Sequence, residues 1–146
     1  MSRGVRLFGH PVHPVLVHFP VACWLLAPAC DVAWLFTDDA FWATAALWLT
    51  GTGVAFALMA AIAGMIDLAA LEGRDDALRT AGWHVAFVST ALTAAILSLI
   101  GRWAPEPEPL LGVPWPLWAG ALAALATLAG GWFGGRLVYT HGAGRS

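Results

Sequence analysis

Four runs of more than twenty mostly apolar residues, separated by short polar breaks, leave this 146-residue chain little choice of fold. A helix needs about 20 such residues to cross a hydrocarbon core. The spacing predicts spans over about 14–36, 41–71, 78–100 and 116–139. Hydrophobic residues make up 60% and charged residues 11%, against about a quarter charged in soluble domains. There is no lysine, and nine tryptophans suit membrane interfaces, where an indole buries its ring and keeps its N–H wet. A formal charge of −2 argues against nucleic acid as a partner. The expectation is an all-α, integral membrane, four-helix up-down-up-down bundle occupying residues 1–146 as one domain, with the lipid bilayer as its surroundings.

The amino end carries Arg3 and Arg6, and Ala27-Pro28-Ala29-Cys30 offers a small-residue site. The apolar run nevertheless continues to Phe36, beyond the 7–15 residues of a signal-peptide core, so an uncleaved first span is expected. Pro14 suits a helix start. Pro20 removes the bond to the Leu16 carbonyl, so a distortion near His18 is expected. Cys23 and Cys30 share a helix face about 10 Å apart, too far to bridge. Gly51, Gly53 and Gly64 in span two, and Gly130-Gly131-Trp132-Phe133-Gly134-Gly135 in span four, allow close helix approach.

Folding the four spans antiparallel brings the start of span one, the end of span two, the start of span three and the end of span four to one membrane face. His10, His13, His18, Asp67, His84, Tyr139 and His141 gather there, and no histidine falls on the opposite face. Arg3, Arg6, Arg74, Arg79, Arg136 and Arg145 share that face, with Arg102 alone opposite. The positive-inside rule then turns the histidines and both termini toward the cytoplasm, as expected for a bacterial inner (cytoplasmic) membrane protein.

His18 and His84 each lie about five residues inside their spans, on helices diagonal in a four-helix square. This matching depth points to a b-type haem held by two imidazoles as the cofactor, with His18 and His84 on the iron. His13 and His141 sit at the rim, for propionates or as a replacement ligand. Arg6, Arg79 and Arg136 stand ready for anionic groups. Asp67 is an ionisable residue near membrane depth; with His13, His18 and His84 it would also compose a zinc or copper set. No HxxxH or HExxH pattern is present, nor a Walker loop, GxGxxG or CxxCH, so covalent c-type attachment is excluded. Two other readings stay open. One is a cofactor-free subunit of a larger membrane complex, with a homo-oligomer also open to it. The other is a metal- or proton-handling protein, disfavoured by small size and the lack of an inverted repeat.

His10-Pro11-Val12-His13-Pro14-Val15-Leu16-Val17-His18-Phe19-Pro20 and Gly134-Gly135-Arg136-Leu137-Val138-Tyr139-Thr140-His141-Gly142 resemble the amino- and carboxy-terminal signatures of a family of small bacterial membrane proteins, the domain of unknown function DUF2231. Asp31, Asp67 and His84 fall at polar positions similar to that family's. The resemblance spans essentially the whole chain. It implies a four-helix membrane domain, sometimes joined to Rieske-type or c-type cytochrome domains, and hence redox company. It assigns no catalytic residue. Together these readings predict a membrane-embedded b-type electron-transfer protein exchanging electrons with quinone or a redox protein.

Overall fold

The structure, a computed structural model, describes residues 6–7, 10–69, 71, 73–104 and 109–143. Four long helices follow one another: α1 (Val12–Thr37), α2 (Ala40–Ala69), α3 (Asp75–Arg102) and α4 (Trp115–Tyr139). All four are long and apolar enough to cross a membrane. They fall within three residues of the expected span limits. α1 runs unbroken through Pro20 and Pro28.

Two small antiparallel ladders were not expected. β1 (Arg6–Leu7) pairs with β2 (His10–Pro11), leading into α1. β3 (Pro109–Leu110) pairs with β4 (Val113–Pro114), leading into α4. The second closes through Leu111 and Gly112 at φ 54 and 77, the left-handed pair that a two-residue hairpin turn demands. At the other short turn, Asp38 takes φ 53 at the end of α1. The Asp39 carboxylate accepts from the Phe41 N–H at 2.9 Å, capping α2.

α1 packs along α2 and α3 along α4, with lighter contact between α1 and α4 and between α2 and α3. This is the expected square, with α1 diagonal to α3. Most residues buried inside it are small, Ala27, Ala46, Ala60, Ala91, Ala95 and Ala123 among them, with Trp24 a large exception seated against Gly53. Large apolar side chains point outward instead, including Leu26, Trp48, Ile62, Met65 and Trp132. A water-soluble domain would bury these; small residues inside and large ones outside is how helices pack when the surroundings are lipid.

The two hairpins repeat each other. Pro20, Cys23, Trp24 and Ala27, buried in α1, correspond 71 residues later to Ala91, Ala94, Ala95 and Ser98, buried in α3. Ala46, Thr50, Gly53 and Ala60, buried in α2, correspond 70 residues later to Pro116, Gly120, Ala123 and Gly130, buried in α4. An approximate two-fold axis therefore runs along the bundle, exchanging α1 with α3 and α2 with α4.

Candidate functional site: a histidine pair across the bundle axis

His13, in the first turn of α1, places its Nδ1 2.8 Å from the Ala60 carbonyl of α2. His84, inside α3, places its Nδ1 2.8 Å from the Gly130 carbonyl of α4. A carbonyl oxygen only accepts, so in both rings Nδ1 carries the proton. In the neutral ring the lone pair then resides on Nε2, the nitrogen available to a metal. Four residues beyond each carbonyl stands a glycine, Gly64 or Gly134. A Cβ on Gly64 would lie 2.9 Å from His13 Cε1, and one on Gly134 would lie 3.1 Å from His84 Cε1. Each ring thus occupies the space left by a missing methyl on the neighbouring helix.

The two-fold turns these twin arrangements toward one another. The His13 and His84 ring centroids are 6.4 Å apart, with ring planes at 84°. Both side chains are half-buried.

The pairing differs from the expected His18–His84 pair. His18 is exposed, five residues and about 140° around α1 from His13. Its neighbour Phe19 stacks on Phe56 of α2 at 4.0 Å. Equal counting from the span starts misjudged the depth, because the first two turns of α3 extend beyond the level at which α1 begins. His10 is exposed on β2.

His141 lies one turn farther out than His84: its Nε2 is 3.0 Å from Thr80 Oγ1, and its carbonyl accepts from Arg74. Arg79 and Arg136 join His141 around a cavity at the end of the α3–α4 groove. The side chain of Arg6 lies outside the described residues. Asp67 is half-buried near the end of α2. Among the described residues no three histidine, cysteine, aspartate or glutamate side chains come close enough to hold a metal ion. The alternative zinc or copper set of His13, His18, His84 and Asp67 is therefore not assembled: His13 and His84 face each other, but His18 is exposed on another face of α1. Cys23 and Cys30 are both free thiols.

A second axial cluster was missed from sequence. Arg102 Nη1 and Nη2 bond the two Asp31 oxygens at 2.7 and 2.6 Å, with both side chains buried. Arg102 Nε also donates to Ser98 Oγ at 3.2 Å, and Ser98 donates to the Pro116 carbonyl at 2.7 Å. Gly120 leaves room, for a Cβ there would sit 3.3 Å from Ser98 Oγ and 3.5 Å from Arg102 Nη2. Arg102 follows Asp31 by 71 residues, as His84 follows His13. That shared interval is the signal that links the two clusters.

These features define a four-helix membrane protein with a diagonal histidine pair near one end of its axis and a buried ion pair near the other. A family model described as "Predicted membrane protein (DUF2231)" matches residues 9–146, and the chain belongs to that family. Neither the curated proteins nor the solved structures include a match.

Proposed function

We propose that the protein is a b-type haem-binding electron-transfer protein, with the iron held between His13 and His84. The observation that carries this reading is the pairing of the two rings. The ring centroids lie 6.4 Å apart on facing helices, near enough that His13 and His84 would together hold one iron.

Three further features support it. The Ala60 and Gly130 carbonyls hold both tautomers with Nε2 as the basic nitrogen, the orientation that metal-bound histidine receives from its surroundings. Gly64 and Gly134 let each imidazole seat closely against the neighbouring helix, which fixes its position. Two protein ligands also suffice for a porphyrin, which brings its own four nitrogens, whereas a bare metal site calls for three or more side chains. When bound, the haem supplies a one-electron couple, tuned by its axial ligands and by burial.

The excess of arginine on the histidine face supports an inner-membrane location with that face and both termini toward the cytoplasm. The electron partner in this reading is a quinone or a neighbouring redox protein.

The test is an absorption spectrum of protein purified in detergent after expression with ample haem. A Soret band that sharpens on dithionite reduction is expected. His13→Ala and His84→Ala each abolish or shift it, and His18→Ala leaves it in place. A featureless spectrum from folded wild-type protein overturns the reading in favour of a cofactor-free subunit.

A further inference from the structure

The cavity between the cytoplasm-proposed ends of α3 and α4 has a chemistry of its own, separate from the axial pair. It encloses about 390 Å³, within the range of small-molecule sites. Arg79 and Arg136 line it from opposite helices, with Asp76 and His141 at the same rim. Among the described residues neither guanidinium has an ion-pair or hydrogen-bond partner, and both arginines are exposed. By contrast the nearby Arg74 is held by the His141 carbonyl. Two guanidinium groups facing one cavity with a single carboxylate between them leave an unbalanced positive charge, which calls for an anion.

The other wall is aromatic. Trp83 and Phe133 line the cavity, their rings stacked at 6.2 Å. Phe87, one turn farther into α3, continues the strip, 5.6 Å from Phe133. The cavity therefore has a basic mouth at the end of the spans and an apolar ramp descending along them. Trp83 is 55% exposed, so the ramp opens toward the surroundings of the bundle rather than toward its axis. A neutral quinone would use the ramp and leave both arginines unanswered. A free phosphate would use the arginines and leave the ramp bare. A phospholipid uses both.

We propose that this cavity is a binding site for the phosphate group of an anionic glycerophospholipid, held by Arg79 and Arg136, with its glycerol and upper acyl carbons on Trp83, Phe133 and Phe87. Basic pockets between transmembrane helices at this level recognise such headgroups through charge-assisted hydrogen bonds.

The test uses the full chain, delipidated in detergent and offered equimolar phosphatidylglycerol and phosphatidylcholine, with retained lipid counted by native mass spectrometry. Wild type is expected to retain one phosphatidylglycerol in at least roughly tenfold preference, the order of one lost charge-assisted bond or more. Arg79→Gln/Arg136→Gln loses the preference while keeping its helical circular dichroism. Arg79→Lys/Arg136→Lys, which preserves charge without the planar fork, keeps part of it. Equal retention of the two lipids by wild type, or an undiminished preference in the glutamine variant, overturns the proposal. Inorganic phosphate is the second probe. Stabilisation of lipid-free wild type by millimolar phosphate, with no preference between the lipids, assigns the site to a soluble phosphate and overturns the lipid assignment. None of these readouts depends on haem.

Discussion

Asp31 and Arg102 occupy equivalent positions in the two hairpins and meet each other across the axis in a two-pronged, buried ion pair. An ion pair at such a place is conditional: removing one partner leaves the other charged and buried. Asp31→Asn or Arg102→Met is expected to cost about 3–5 kcal/mol, read from unfolding in detergent. The double variant Asp31→Leu/Arg102→Met is expected to lose much less, because no charge is left behind. The exchange Asp31→Arg/Arg102→Asp is expected to recover only part of the stability. Position 31 has Ala27 one turn back where Arg102 has Ser98, and Thr50 rather than Gly120 stands across from it in the corresponding place.

The glycines beside the histidines give a paired prediction. Gly64→Ala and Gly134→Ala each drive a methyl to about van der Waals overlap with an imidazole. Each is expected to cost about 1–3 kcal/mol, as overpacking does, and by similar amounts because the two sites repeat one contact. Gly131→Ala, where a Cβ meets nothing within 4 Å, serves as the control and is expected to be neutral or slightly stabilising. Thermal unfolding monitored by tryptophan fluorescence distinguishes these outcomes. Equal loss at Gly131 would show that the histidine contacts are not what the glycines serve.

The small hairpin before α4 predicts a gain. Leu111 holds a left-handed backbone that asparagine and glycine adopt far more readily. Leu111→Asn is expected to stabilise the hairpin by a few tenths to about 1 kcal/mol, and Gly112→Val to destabilise it by more than that. Slower hydrogen exchange of the Trp118 indole, which donates to the Leu110 carbonyl at 2.9 Å, reports the first directly.

Much of the architecture was legible in the chain because membrane spanning is a crude constraint: length and apolarity alone locate the four helices. Up-down order then correctly placed α1 diagonal to α3 and the histidines at one end. The choice of histidine was not legible, because it depends on helix phase and on how far α3 projects past α1. Neither quantity can be read from where hydrophobicity begins. The Asp31–Arg102 pair escaped for a related reason. Each residue lies near a span end, where a charge is unremarkable on its own, and only their common 71-residue interval with His13 and His84 connects them. The repeat in this chain is parallel rather than inverted, with both hairpins entering from the same side.

The doubled hairpin carries one further consequence. If either half associated with a second copy of itself, the same two-fold would set carboxylate against carboxylate in the first half, or guanidinium against guanidinium in the second. Only unlike halves neutralise each other. The substitution that distinguishes Asp31 from Arg102 therefore makes the halves complementary where a simple duplication would have left them interchangeable. It selects the union of a first half with a second half over assemblies of like halves.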